Sequence, residues 1–416
     1  MSRAYSVQPT RFAGEIRAVP SKSDAHRALI AAALACGESR LSDWGDSDDV
    51  QATLRALETL GLVRTRSGFS LSGGGEMRSD TAIACGQSGS TLRFLIPLTL
   101  ALGEGACFTG EGRLMQRPLS AYERLFTRQG IGWRREGQRL AVSGRLEAGL
   151  YELPGDVSSQ FVTGLCFALP LLERDSQIRF TSPLESAGYV SMTLETLRRF
   201  GIVIHEGAEG LDIPGGQRYR PAVYAIEGDW SYGAFWLAAG AMGGDVTVRG
   251  LKSPSLQGDS RVADILREMG AAIAQSGDAA HACGGALQGV EVSLADVPDL
   301  APVLAVAACA AHGRSRFTQA RRLRIKESDR LAAIGRMVTD LGGRISLGED
   351  EFTIEGAGRI AGGAVETRHD HRMAMAAAVA AAASEGPVRL DDGDCVAKSA
   401  PDFWRHYHRL GGICDE

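Results

Sequence analysis

Six helix-like segments of this chain each close on a glycine, at nearly equal intervals. "VQATLRALETLG" ends at Gly61, "AYERLFTRQG" at Gly130 and "SMTLETLRRFG" at Gly201. "RVADILREMG" ends at Gly270, "RLAAIGRMVTDLG" at Gly342 and "DFWRHYHRLG" at Gly411. Successive glycines lie 69, 71, 69, 72 and 69 residues apart. Each segment carries apolar residues at three- and four-residue spacing, the mark of a helix with one buried face, and Gly favours the position just past a helix end. A second series interleaves with the first and is apolar almost all round: "SDAHRALIAAALACG", "STLRFLIPLTLALG", "SSQFVTGLCFALPLL", "SYGAFWLAAGAMG", "PDLAPVLAVAACAAHG" and "HRMAMAAAVAAAASEG". A helix hydrophobic on every side is a buried helix. Five of these are expected to end at Gly37, Gly103, Gly243, Gly313 and Gly386, and the third near Arg174. Strand-like stretches such as "TAIAC", "RLAVSG", "QIRFTS", "VTVRG", "RISLG" and "FTIEG" lie between them. A period of about 70 residues is too long for the common solenoids. Buried helices need other layers around them, so the chain is expected to be α/β, in two compact domains of three units each, divided near residue 229.

The composition narrows the function. A net charge of −5 argues against a general nucleic-acid or membrane-surface binder, so basic residues that matter must act locally. The eight cysteines stand singly, with no C-x-x-C pair, which suits free thiols in a reducing compartment. "MSRAYSVQPT" has no apolar signal-peptide core, and runs such as Leu300 to Ala311 are too short to span a membrane. A soluble cytoplasmic protein is expected. No G-x-x-x-x-G-K-[ST] occurs, and Gly356-Ala357-Gly358 leads into no helix, so neither nucleotide fingerprint is met. The acidic runs "GDSDDV" and "DDGD" read as a helix start and a turn rather than metal sites, and Arg372 beside His371 disfavours a cation there. No metal is expected.

The fronts of the buried segments share a chemistry. They read Ser21-Lys22-Ser23, Gln87-Ser88-Gly89-Ser90, Ser158-Ser159-Gln160, Asp229-Trp230-Ser231, Pro298-Asp299 and Asp370-His371-Arg372. Ser and Asp there are ordinary N-caps. Lys22, Arg27, Arg93 and Arg372 are not, because the helix dipole disfavours a cation at this end unless an anion is gripped by both. The amphipathic series adds Arg117-Pro118, Ser186, Tyr189, Lys326, Glu327, Arg330 and Lys398. Gathered at one end of each unit, these residues are expected to line a shared cleft. A helix-end site contributes about 0.3–1 kcal/mol and a charge-assisted hydrogen bond about 1.5–3 kcal/mol. Micromolar binding needs about −8 kcal/mol, so several contacts must converge on a small polyanion.

"PSKSDAHRAL", "GQSGSTLRFL", "QRPLSAY", "DVSSQFVTGL", "RIKESDRL", "DHRMAMA" and "AKSAPDFW", in this order along nearly the whole chain, closely resemble the motifs of the EPSP synthase (3-phosphoshikimate 1-carboxyvinyltransferase) family. The resemblance implies two inverted α/β domains, each of three βαβαββ units, with residues 1–20 and 229–416 in one and 21–228 in the other. It implies transfer of the enolpyruvyl group of phosphoenolpyruvate to the 5-hydroxyl of shikimate 3-phosphate, releasing phosphate, by a monomer that needs no cofactor. By similarity, Lys22, Ser23, Arg27, Ser158, Ser159, Gln160 and Ser186 hold shikimate 3-phosphate, and Asp299 and Lys326 touch its hydroxyls. For phosphoenolpyruvate the matching positions are Lys22, Gly89, Arg117, Gln160, Arg330, Arg372 and Lys398. Asp299 is expected as general base, and Glu327, assisted by Lys22, as the donor to the methylene carbon. Two positions depart from the pattern: Gln87-Ser88 replaces Asn-Ala before Gly89, and Arg322 stands where some members use an Asn, so Arg322 is assigned no contact. No role falls to His26, which is expected to be a packed or capping residue. The rivals are the related transferase acting on UDP-N-acetylglucosamine, whose loop Cys is missing before Arg117, an RNA 3′-phosphate cyclase, and a non-catalytic repeat protein.

Overall fold

The computed structural model describes residues 3–63, 65–74 and 82–415. Thr81, the first residue of the expected strand "TAIAC", lies outside the described residues, as do the extreme ends of the expected domains. The chain divides into two compact units, Met1–Val19 with Glu227–Glu416, and Pro20–Ile226.

The Pro20–Ile226 unit holds helices α1 (Lys22–Leu34), α2 (Asp48–Thr59), α3 (Gly89–Leu102), α4 (Ser120–Arg128), α5 (Ser159–Ala168) and α6 (Ala187–Arg199). The other unit holds α7 (Trp230–Ala241), α8 (Val262–Glu268), α9 (Ala301–Ala310), α10 (Arg330–Asp340), α11 (His371–Val379) and α12 (Phe403–Arg409). The odd-numbered helices are the apolar series: every residue of α7, α9 and α11 is buried. The even-numbered helices bury one face.

Each unit contains three four-stranded sheets of one design. Ala82–Ala84 runs parallel to Gly105–Thr109, with α3 as the crossover between them. Arg139–Ser143 then pairs antiparallel with the second strand, and Gly132–Glu136 closes a hairpin beside it. Two strands from the start of the chain complete sheets of the Glu227–Glu416 unit. Ala13–Arg17 lies parallel to Asp245–Arg249, and Tyr5–Val7 sits antiparallel between Val388–Leu390 and Cys414–Asp415. In the same way Val223–Tyr224 completes the sheet of Gly37–Leu41. Covering a strand edge that would otherwise be open is what carries both ends of the chain into one unit.

The six periodic glycines share one physical role. Gly61, Gly130, Gly201, Gly270, Gly342 and Gly411 all have φ between 72° and 98°. Each donates its N–H three residues back, and the following residue donates five residues back, as in Gly61 to Glu58 and Leu62 to Leu57. This doubly bonded left-handed cap satisfies carbonyls that the helix leaves open. In the buried series α3 ends on Gly103 as expected, but other members stop short of their glycines. α9 ends at Ala310 and α11 at Val379, with Gly313 inside the strand His312–Thr318 and Gly386 beyond a 3₁₀ turn at Ala380–Ala382. These helices run into the next strand or tighten into 3₁₀, so they need no left-handed cap.

Gly130 isolates the cost of the left-handed conformation, because a Cβ added there meets nothing within 4 Å. Gly130→Ala should lower unfolding stability by about 1 kcal/mol, and Gly130→Asn by less. Denaturant titration checks this; an Ala variant as stable as the parent would contradict it.

Candidate active site

In the Pro20–Ile226 unit three N-caps fix three helix starts: Ser21 accepts from the N–H of Asp24, Ser88 from that of Thr91 and Ser158 from that of Gln160. Lys22, the first residue of α1, places Nζ 2.9 Å from Asp49 Oδ2 at the start of α2. One turn on, Arg27 is buried and bound by neutral oxygens. Its Nη1 donates to the Ser23 carbonyl at 2.5 Å, Nε to Thr193 Oγ1 at 2.9 Å and Nη2 to the Tyr189 carbonyl at 3.0 Å. Burial pulls its guanidinium down to about 10, against the pull of Asp24. Ser159 is buried at the first position of α5, and Ser186 starts α6 in the left-handed region at φ 58°.

A second network gathers around the expected Gln160. Arg93 Nη1 donates to Gln160 Oε1 at 2.7 Å, and Gln160 Nε2 donates to Ser90 Oγ at 3.0 Å. A Cβ on Gly89 would lie 2.7 Å from Arg117 Nη1 and 2.9 Å from Arg93 Nη1. Gly89 therefore leaves room for two guanidinium groups at a helix N-terminus. The Tyr122 hydroxyl braces this corner by donating to the carbonyls of Arg93 and Phe161. His26 is packed rather than capping: its Nδ1 lies 2.7 Å from Thr53 Oγ1, which meets Thr91 Oγ1 at 2.6 Å, which in turn bonds Ser88 Oγ at 2.7 Å. This buried relay ties α1 through α2 to the cap of α3.

In the Glu227–Glu416 unit, Asp229 and Asp370 cap α7 and α11. Asp299 departs from the expected helix start: it sits in a 3₁₀ turn, Pro298–Leu300, ahead of α9. Excused from capping, its carboxylate accepts from Arg330 Nη1 at 2.7 Å, Arg372 Nη2 at 3.1 Å and Lys326 Nζ at 3.3 Å. Burial pushes the Asp299 carboxyl up, but Arg372, Lys326 and Arg330 together outweigh it and hold it well below the usual range. Arg330, 1% exposed, forks onto Asp370 at 2.7 and 3.2 Å and onto Glu327 at 2.8 Å. Burial acts to lower its pKa, yet Asp370, Glu327 and Asp299 raise it above the ordinary value. Lys326 is lowered by burial, with Arg330 and Arg322 adding to the effect against Asp299. Lys398 is buried at the end of the 3₁₀ turn Asp394–Lys398, which packs on α11. Arg322 is buried and donates to the carbonyl of Ala295.

Among the described residues, no group of three His, Cys, Asp or Glu side chains could hold a metal ion. The acidic runs have other work. Asp49 pairs with Lys22, Asp391 accepts from Thr367, and Asp392 accepts from His369 and from the N–H groups of Asp394 and Cys395. The residues that motif reasoning left without a role are Arg93, Asp49 and Asp370. One signal was available for Asp49, because the repeat sets partners about one fixed interval apart: Lys22 and Asp49 are 27 residues apart, as are Asp299 and Lys326.

A sequence profile of the family described as EPSP synthase (3-phosphoshikimate 1-carboxyvinyltransferase) matches residues 7–407. The chain belongs to the EPSP synthase family. It is 42% identical over 418 residues to the 3-phosphoshikimate 1-carboxyvinyltransferase of Clostridium kluyveri, covering 99% of this chain and 98% of that one. It is 40% identical over 430 residues to the protein of the same name from Clostridioides difficile, with the same coverage. An EPSP synthase structure from Acinetobacter baumannii superposes with a TM-score of 0.82 at 25% identity, over 99% of this chain and 100% of that one. As an EPSP synthase, the enzyme transfers the enolpyruvyl group of phosphoenolpyruvate to shikimate 3-phosphate in the shikimate pathway. Among the described residues no helix is long and apolar enough to cross a membrane.

Removing Arg330 would leave Asp370 buried without its main cation and take one of three cations from Asp299. Arg330→Gln should cost about 3–5 kcal/mol at pH 7. Asp299 and Asp370 both have depressed folded pKa values, so in the parent the stability they contribute is present above the ordinary carboxylate range and lost only as pH falls through those lowered values. In the variant the same buried acids, deprived of Arg330, take up protons at a higher pH. The deficit of the variant should therefore shrink on acidification toward pH 4. Denaturant titrations at both pH values check this; an equal deficit at both would contradict it.

Proposed function

We propose that the two clusters act on the same substrate pair, with shikimate 3-phosphate held by Lys22, Ser23, Arg27, Ser158, Ser159, Gln160 and Ser186, and its hydroxyls met by Asp299 and Lys326. Phosphoenolpyruvate is taken by Lys22, Gly89, Arg117, Gln160, Arg330, Arg372 and Lys398. What carries this reading is the triple-cation environment of Asp299. With those cations turned toward it, Asp299 is a poor base. The carboxylate and phosphate of phosphoenolpyruvate compete for Arg330 and Arg372, so binding of that substrate restores proton affinity to Asp299. Asp299 then accepts the proton of the 5-hydroxyl while its oxygen bonds to C2 of phosphoenolpyruvate, and Glu327, with Lys22, protonates the methylene carbon to give a tetrahedral adduct. Loss of a methyl proton and expulsion of phosphate complete the transfer. Arg117, Arg330, Arg372 and Lys398 stabilise the charge carried by the adduct, fixed donors being worth more than mobile water. The working unit is read as a single cytoplasmic chain, in keeping with eight cysteines that stand singly in the sequence with no C-x-x-C pair.

Phosphate release from phosphoenolpyruvate should depend on shikimate 3-phosphate and persist with a chelator. No release by folded enzyme, or release needing a UDP-sugar, would overturn the assignment. Lys22→Ala should raise KM for both substrates, roughly tenfold each if one charge-assisted bond is lost. An effect on one substrate alone would remove Lys22 from its shared place. Asp299→Asn should lower kcat by about 10²–10⁴-fold; a kcat within a few-fold of the parent would exclude it as the base.

A further inference from the structure

In the Glu227–Glu416 unit, Asp299, Glu327 and Asp370 each accept a hydrogen bond from at least one cation. Asp259 does not. It lies in the 3₁₀ turn Gly258–Arg261 ahead of α8 and is 2% exposed. Its Oδ2 meets the hydroxyl of Ser231 in the first turn of α7, and its Oδ1 is buried with no hydrogen-bond partner. The charges that act on it are those of Asp299 in the turn before α9, Arg372 in α11 and Asp229 at the cap of α7, and Ser231 is its hydrogen-bond donor. Its place in the repeat is that of site residues elsewhere. Ser231 and Asp259 are 28 residues apart, where Lys22 and Asp49, and Asp299 and Lys326, are 27 apart.

A buried carboxylate with one neutral partner and one empty oxygen is costly, and taking up a proton relieves it. We propose that Asp259 is a positioning residue that works as a neutral acid, leaving the charge of Arg372 to phosphoenolpyruvate. When ionised, it competes for Arg372 and repels the incoming anion. This rests on the reading of Arg372 as a phosphoenolpyruvate contact. Burial, and then the neighbouring charge of Asp299, push the Asp259 carboxyl up to about 7, so the two states exchange near neutrality.

The sign follows directly: below about pH 7 Asp259 is neutral and phosphoenolpyruvate binds more tightly, and above it the affinity falls. KM for phosphoenolpyruvate is measured at pH 6 and pH 8 in the parent and in Asp259→Asn, an uncharged side chain of the same shape. Substrate ionisation is common to both proteins and cancels. The ratio of KM at pH 8 to KM at pH 6 should be roughly three- to tenfold smaller in the variant, one nearby charge having been removed. Ser231→Ala, which removes the hydrogen bond favouring the ionised form, should move the parent's rise in KM to higher pH. A pH ratio in Asp259→Asn equal to the parent's, including a KM raised equally at both pH values, would overturn the proposal; so would a Ser231→Ala rise at lower pH. Arg372→Gln separates the two readings. If it leaves KM for phosphoenolpyruvate at the parent value, the Arg372 contact itself fails. If it raises KM while Asp259→Asn keeps the parent ratio, Asp259 alone is excluded.

Discussion

A helix buried on every face has nowhere along its length to carry polar chemistry, because any charge on its flank would have to be desolvated and paired. Its start is different. The first turn leaves N–H groups without intrahelical partners, and these must be met by a cap, by solvent or by a ligand. Among the described residues six helices belong to this largely buried series, and five have a Ser or Asp cap. The sixth, α9, begins from a 3₁₀ turn instead, and that turn frees the Asp299 carboxylate to face three cations. The restriction that puts alanine and leucine along these helices also confines reactive groups to their beginnings.

The two units solve the problem of holding buried cations differently. Arg27 is surrounded by hydroxyls and carbonyls, so its hydrogen bonds are satisfied while its charge is not cancelled by a bonded carboxylate. Such a group attracts an anion without having to give up a partner. Arg330 and Arg372 are held by carboxylates. Ion pairing of this kind keeps the buried charge tolerable, and its disruption is costly. In the proposed mechanism a substrate anion reaching Arg372 competes with its existing partner Asp299. Binding and activation of the base become one event in the proposed mechanism. In that mechanism the carboxylates near the arginines are part of the chemistry as well as counter-ions.

Much of the fold was legible because its signals are local or periodic. The caps follow from residue type at the helix starts, and the left-handed turns follow from glycines spaced by the repeat. The strands that close the sheets were harder, since nothing within Tyr5–Val7 says that its neighbours are Val388–Leu390 and Cys414–Asp415. The site shows the same division. Lys22 and Arg372 stood out as cations in places where a helix start disfavours them, and Arg330 through the motif "RIKESDRL". Their counter-ions Asp49 and Asp370 looked like ordinary first-turn acids, because each pair is formed between residues 27 to 40 positions apart. His26 sat among anion-binding residues in sequence, yet its ring faces α2 and the threonine relay instead.

Repetition supplies a further kind of information once the pairing rule is known. Three of the repeats bring the start of a buried helix against the first turn of the next amphipathic helix or the segment ahead of it, and the identity of the two side chains is what differs. In the first unit the pair is Lys22 with Asp49, an ion pair; before α9 and α10 it is Asp299 with Lys326, the same charges exchanged. Around α7 and α8 it is Ser231 with Asp259, a hydroxyl and an acid with no cation between them. A duplicated scaffold has no structural reason to keep a buried acid at that place, since the neighbouring apolar core would be better served by an alanine. Under the proposal made for Asp259, its protonation state decides how much of the charge of Arg372 is left to an incoming anion.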